Sequence, residues 1–434
     1  MSTATAAPGA TDASRPAKPI STKTISIKTI VAVSIGNALE WFDIVVYGFL
    51  ALTISKLFFP AGSETVSLLL TLATFGVSFF MRPLGSILLG AYADRVGRKK
   101  ALTLSIALMM IGTLLIAIAP TYETIGLAAP ALLVLARLIQ GFSAGGEFGS
   151  ATAFLAEQDP SRRGIYASWQ FASQGVTTIL ASGFGVLLNT ALTPEQLASW
   201  GWRLPFCFGL LIGPVAIYIR KRLEETGEFR QSGGQQSPLN ETFSAQKLRV
   251  LTALGLVILG TIAAYTTLFM PSFAVRQLGI AASYGFVATL VVGVIQLAFV
   301  PVFGALSDRI GRLPIMFTAA ALILAGIVPM FMLLTRAPSV TTLLLVQACV
   351  ALVATAYIGP LSALMAELFP TRTRGTGLSV SYSFAVTIFG GFAPFIIAWL
   401  IAQTGSNLAP SFYVAFGAVA SLAALFAARQ FGMR

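Results

Sequence analysis

The 434-residue sequence has no histidine and only two cysteines, Cys207 and Cys349, each inside an apolar run. These absences remove disulfide frameworks, zinc sites built from Cys and His, and histidine-based acid–base catalysis. Charge is also scarce. Asp, Glu, Lys and Arg make up 10% of the chain, against about 25% in a soluble domain. With 56% hydrophobic residues the chain reads as an integral membrane protein. No apolar core with a cleavage site precedes the first hydrophobic run, so residues 1–28, rich in Ser, Thr, Ala and Pro, read as a disordered cytoplasmic tail.

What is present is a succession of apolar stretches of about 20 residues, each long enough to cross a hydrocarbon core of about 30 Å. Twelve are predicted, starting near Thr29, Val66, Ala101, Leu127, Ile165, Leu204, Val250, Tyr284, Leu313, Val340, Thr376 and Pro410. Glycine (40) and proline (21) are frequent, as expected where membrane helices pack closely or break beside a cavity. The expected fold is all-α and integral to the membrane.

The net charge of +12 would suit a nucleic-acid partner, but its distribution argues for topology instead. With twelve spans both termini share one side, and 22 of the 28 basic residues fall there. The opposite loops hold four, Lys56, Arg203, Arg276 and Arg336. This asymmetry places both termini in the cytoplasm. The remaining two, Arg82 and Arg137, lie within spans.

One turn occurs twice. Gly90-Ala-Tyr-Ala-Asp94-Arg95-Val-Gly97-Arg98 returns 214 residues later as Gly304-Ala-Leu-Ser-Asp308-Arg309-Ile-Gly311-Arg312. A second pair, Ala156-Glu157 through Gly164 and Ala366-Glu367 through Gly375, is offset by 210. The chain therefore divides into a six-helix bundle at 29–220, a polar cytoplasmic linker at 221–249 and a second bundle at 250–430. Repeats of this kind place a substrate site between the halves near the bilayer midplane, with rocking of one half over the other giving alternating access. In the turns, Gly90 and Gly304 allow a neighbouring helix to come close. Asp94 and Asp308 can pair with nearby arginines such as Arg98 and Arg312, or sit at a helix N-terminus, where negative charge is favoured. Contacts of that type suit a gate.

The repeated Gly-x-x-x-Asp-Arg-x-Gly-Arg turn resembles the major facilitator superfamily. Further motifs, Gly36-Asn37-Ala-Leu-Glu40-Trp41-Phe42-Asp43, Arg82-Pro83-Leu-Gly85, Gln140-Gly141-Phe-Ser-Ala-Gly145-Gly146-Glu147 and Gly201-Trp202-Arg203-Leu-Pro205-Phe206, resemble its metabolite:proton symporters. Ala167-Ser168-Trp169-Gln170 through Gln174 and Thr387-Ile-Phe389-Gly390-Gly391 look like the citrate and tricarballylate branch. The resemblance implies a pseudo-symmetric fold of two six-helix halves in the bacterial inner membrane. It also implies proton-coupled uptake of a small organic anion such as a tri- or dicarboxylate, without a cofactor. The expected partners are the anion, protons and the lipid bilayer, with no nucleic acid and no oligomeric state implied. The alternatives are import of a zwitterion such as proline or betaine, and drug:proton antiport. The second is disfavoured because Tyr166 to Asn189 contains no proline. An enzyme finds no support in any nucleophile or metal motif.

The spans themselves point to sites. Intramembrane charge is costly and usually marks a pathway. Asn37, Glu40, Asp43 and Tyr47 fall on one face of the first span. Arg82 ends a polar stripe in the second, and Arg137, Gln140 and Glu147 lie along the fourth. Spans seven to twelve offer only neutral groups between their loops, including Tyr265, Gln296, Gln347 and Tyr382. Asp43, Glu40 and Glu147, in that order, are the proton-carrying candidates, because a carboxyl whose surroundings alternate between apolar and cationic can load and release a proton. Arg82 and Arg137 are the anion-binding candidates, since a guanidinium grips a carboxylate with two parallel hydrogen bonds. Gln170, Gln174, Asn37 and Tyr47 complete the expected substrate site.

Overall fold

The computed structural model describes residues 27–96, 98–145, 147–159, 161–221, 246–370 and 373–433. The expected tail and most of the expected linker lie outside the described residues. All regular structure among those residues is helical. In the first half these are α1 (Ile27–Phe49), α2 (Ala51–Phe58), α3 (Glu64–Val96), α4 (Arg98–Ile118), α5 (Tyr122–Ile125), α6 (Ala128–Ala144), α7 (Glu147–Glu157), α8 (Arg163–Ala191), α9 (Pro194–Ser199) and α10 (Leu204–Lys221). The second half has α11 (Lys247–Leu278), α12 (Ala282–Ile310), α13 (Arg312–Arg336), α14 (Val340–Leu368), α15 (Arg374–Ala385), a π-helical segment (Val386–Gly391), α16 (Ala393–Thr404) and α17 (Ala409–Gln430). Each predicted span is found as a helix starting within three residues of its expected position.

Helix is the form these apolar runs must take in lipid, because it satisfies every backbone group within the segment. Three spans are not continuous α-helix. The first span bends by 69° between α1 and α2. The fourth divides into α6 and α7 around its glycine pair, and the eleventh passes through the π-helical segment. The distribution of side chains is that of a membrane protein. Large apolar residues such as Leu127, Leu211 and Phe80 are exposed on the outside, while Asp43, Arg82, Arg137 and Gln170 are buried. In water, an apolar surface that extensive would be a liability.

Within the first half α3 packs on α6, and α1 lies between α8 and α10. The α3–α6 contact explains two glycines of the sequence motifs. A Cβ on Gly85 would collide with the Phe142 carbonyl oxygen, and one on Gly141 would collide with that of Ser78. Across the halves, α8 runs along α12, and α3 packs against the π-helical segment and its flanking helices. These two seams bound the space between the bundles.

Candidate functional site

The polar arc of α1 divides among several neighbours. Asn37 donates to the Gln170 carbonyl and to Ser173 Oγ of α8, both at 3.0 Å. Glu40 pairs with Arg82 of α3, Oε1 to Nη2, at 2.8 Å. Asp43 accepts hydrogen bonds from Thr113 of α4 and, at 3.3 Å, from Gln140 Nε2 of α6. The Tyr47 hydroxyl donates to the Thr71 carbonyl at 3.4 Å.

Gln140 joins an acid to a base. Its Oε1 accepts from Arg137 Nη1 at 2.7 Å while its Nε2 donates to Asp43 and, at 3.1 Å, to Thr113 Oγ1. Arg137 also donates to Ser78 Oγ at 3.3 Å and lies 4.6 Å from the centre of the Tyr47 ring. Arg82 sits 4.5 Å above the Phe79 ring. Such contacts offset part of the cost of burying a cation. Bonding capacity is left over: among the described residues Asp43 Oδ1, Arg137 Nε and both amide atoms of Gln170 make no hydrogen bond. Unpaired buried polar atoms are costly, and these belong to α1, α6 and α8 of the first half.

Between the halves is a cavity of about 70 Å³, lined among others by Trp41, Gln174, Thr178, Thr289, Gln296 and Thr355. A smaller cavity of about 20 Å³ shares Trp41, Gln174 and Gln296 and adds Phe171, Tyr265 and Tyr382. Gln296 Nε2 crosses the seam to the Phe171 carbonyl at 3.2 Å.

This geometry distributes the sequence-based candidates between the cavity and the helix contacts. Of Arg82, Arg137, Gln170, Gln174, Asn37 and Tyr47, only Gln174 lines either cavity. Asn37, Tyr47, Arg82 and Arg137 are turned into helix–helix contacts of the first half, where each side chain makes at least one hydrogen bond. Gln170 is buried with its carbonyl engaged by Asn37. The side chain of Glu147 lies outside the described residues. The aromatic residues Trp41, Phe75 and Phe79 were missed. A signal was available, since Phe75, Phe79 and Arg82 follow i, i+4, i+7 spacing and share a helix face.

At the end of the molecule that carries the basic loops, the second copy of the repeated turn contacts the first half. Asp308 accepts from the backbone N–H groups of Gly164 and Ile165, at 2.8 and 3.0 Å, at the start of α8 in the other half. It also pairs with Arg312 at 2.6 Å, and Arg312 reaches Glu367 at 3.1 Å. Both alternatives considered for this aspartate are therefore realised at once. The two glycines of the turn have separate reasons. A Cβ on Gly304 would lie 2.6 Å from the Gly164 carbonyl oxygen, and Gly311 has φ of 95°, which favours glycine. Arg374 crosses the halves to Glu157 at 2.6 Å. In the first copy, the side chains of Asp94 and Arg98 lie outside the described residues, as do the surroundings of Gly90.

Two helical bundles around a shared cavity, one of them holding ionisable groups within its spans and both joined by polar contacts at one end, have the plan of a secondary transporter. Comparison with known proteins agrees. The family described as "Sugar (and other) transporter" matches residues 28–249, and the Major Facilitator Superfamily matches residues 281–432. A citrate-proton symporter from Klebsiella pneumoniae is 41% identical over 402 residues, covering 92% of this chain and 90% of its own. A glycine betaine/proline/ectoine/pipecolic acid transporter from Dickeya dadantii is 35% identical, covering 91% and 81%. The solved structure of the xylose transporter XylE from E. coli superposes with a TM-score of 0.75 at 18% identity, covering 91% of this chain and 96% of its own, which shows the fold. The chain belongs to the major facilitator superfamily, as the repeated turn implied, and is a multi-pass membrane protein.

Proposed function

We propose that this protein couples inward proton flow to uptake of a small organic anion, a tri- or dicarboxylate such as citrate, by alternating access. The observation that carries this reading is the placement of two buried acid–base sets, Glu40–Arg82 and Asp43–Gln140–Arg137, behind a cavity shared by both halves. The 41% identity to a citrate-proton symporter supports the choice of substrate. Asp43 is the proton carrier. It is bonded to a hydroxyl and an amide, and Gln140 links it to Arg137, so a change in its charge alters what Arg137 must hold. Arg82 is the anion-binding guanidinium, with Glu40 its partner until a substrate carboxylate takes that place. The cycle makes and breaks no covalent bond in the substrate.

The basic end faces the cytoplasm of a bacterial inner membrane, in line with the charge asymmetry of the loops. There the contacts of Gly304, Asp308 and Arg312 with α8, together with Glu157–Arg374, close the path and must part when the halves rock. Gly90, Asp94 and Arg98 form the matching turn of the first half. A second reading has an observation of its own. Trp41, Tyr265 and Tyr382 at the cavity suit a quaternary ammonium, as in a betaine carrier.

Uptake into proteoliposomes with an alkaline interior separates the readings. Labelled citrate, tricarballylate, 2-oxoglutarate, shikimate and betaine are offered in turn. Accumulation of a tri- or dicarboxylate that collapses with a protonophore is expected. Accumulation of betaine with no competition from citrate establishes the second reading, and a dependence on a sodium gradient alone overturns proton coupling.

A further inference from the structure

The proposed anion-binding groups all belong to the first half, yet alternating access needs the substrate to engage both. Tyr265 of α11 answers this. It is 1% exposed, lines the smaller cavity beside Gln174 and Tyr382, and its hydroxyl makes no hydrogen bond among the described residues. A buried tyrosine hydroxyl ordinarily has a partner. This ring is not free to turn and seek one. It packs against Trp41, Phe75 and Phe79 of the first half, with centroids at 5.6, 6.0 and 5.5 Å. Behind it is Gly390 of the π-helical segment, where a Cβ would lie 2.8 Å from Tyr265 Cε2. The segment is itself tied across the seam, since Thr387 Oγ1 donates to the Phe79 carbonyl at 2.9 Å. π-helical turns often occur at functional sites, and this one brings the Gly390-Gly391 pair against Tyr265 and Phe79.

Two guanidinium groups lie against the rings that hold the phenol, one of them paired with Glu40. Phe79 carries Arg82 on its face at 4.5 Å, and the guanidinium of Arg137 is 5.3 Å from the centre of the Phe75 ring. A neutral donor with no partner among the described residues thus sits on the cavity wall contributed by the opposite half, its ring packed on two rings that each carry a guanidinium. We propose that Tyr265 is the second half's substrate-binding residue, its phenol donating to a carboxylate oxygen of the anion, and that Gly390 is the positioning residue that seats its ring. The assignment deepens the carboxylate reading above and rests on it. It also accounts for the Thr387 to Gly391 motif, whose glycines leave room for the ring. A substrate held by Arg82 and Tyr265 together draws the two halves toward each other.

The test uses the full-length carrier in proteoliposomes with citrate as the probe. Tyr265→Phe keeps the ring and removes only the donor. It is expected to raise the KM for citrate about tenfold or more, the usual effect of losing a hydrogen bond to a charged group, with the maximal rate changed much less. Gly390→Ala should shift KM in the same direction. Combined with Tyr265→Phe it should add nothing further, because both changes act on one contact. Gly183→Ala, at a position with nothing within 4 Å, is the control and should be neutral. An unchanged KM in Tyr265→Phe overturns the binding role, whatever Gly390→Ala does. A Gly390→Ala effect fully additive with Tyr265→Phe overturns the positioning role. If the wild-type carrier neither binds nor transports any carboxylate, the underlying reading falls and this one with it. An active wild type with an indifferent Tyr265→Phe removes this assignment alone.

Discussion

In the first half, Glu40, Asp43, Arg82 and Arg137 are all buried inside the bundle. In the second, the described charged groups stand at helix ends, where Asp308, Arg312, Glu367 and Arg374 bond one another or the facing half. The repeated turn shows a common plan, and the divergence shows how it has been divided. Each intramembrane charge is expensive, so concentrating them in one half confines the cost to a single polar cluster with its own partners. The other half then supplies aromatic rings, amides and hydroxyls to the cavity and the hinge-like interruption of its eleventh span. Its own buried cations, Arg312 and Arg374, stand at helix ends beside acidic partners.

The contrast can be broken most severely at its charged side. Asp43→Asn is expected to abolish accumulation of substrate against a gradient while leaving substrate exchange across the membrane. Persistent pH-driven accumulation would remove Asp43 from the coupling role. Arg82→Ala removes the buried cation that pairs with Glu40, a loss of the order of 3–5 kcal/mol where such pairs have been broken. It should lower the thermal unfolding temperature and raise the KM for the anion strongly, and the double variant Arg82→Ala with Glu40→Ala should recover stability but not affinity. Recovery of affinity as well would show that Arg82 serves packing alone.

Smaller effects sharpen the comparison at the latch and the seam. Asp308→Ala removes a charged acceptor from the first turn of α8, worth about 1 kcal/mol. A cysteine placed in the cavity, in a background lacking Cys207 and Cys349, should then react faster with an impermeant maleimide added from the basic side. Equal labelling rates would show that the latch does not control access. The least effect is expected from Gln296→Leu. It deletes one cross-half hydrogen bond, and such bonds are worth about 0.6 kcal/mol in membranes, so transport should weaken by less than about threefold. A complete loss would place the second half's chemistry at Gln296 instead of Tyr265.

How far the site could be read in advance differs by residue. Asp308 was legible as a helix-end acid beside arginines, because the repeat fixes its place, but which helix N-terminus it would meet was not. Glu40 and Arg82 were legible as buried charges but not as a pair, since helical periodicity says which side of its own helix a residue occupies and nothing about the helix opposite. Gln140 was one more polar residue in the fourth span until its amide was seen between Asp43 and Arg137. Tyr265 was one of several neutral groups until the rings of Trp41, Phe75 and Phe79 closed around it.

The sequence by itself determined the spans, their starting points, the two-half plan and the placing of mid-span charge in the first half. Each of these follows from local hydrophobicity, from loop charge or from the repeat, and none requires knowing what touches what. The tertiary structure alone decided that α1 gives Asn37, Glu40 and Asp43 to different neighbours, and that Gln174 but not Arg137 lines the cavity. It also decided that a π-helical turn in one half seats a ring lodged in the other. Those outcomes depend on how each helix is rotated and bent against its neighbours, which is set by close-packed fits such as Gly141 on Ser78 and Gly390 on Tyr265.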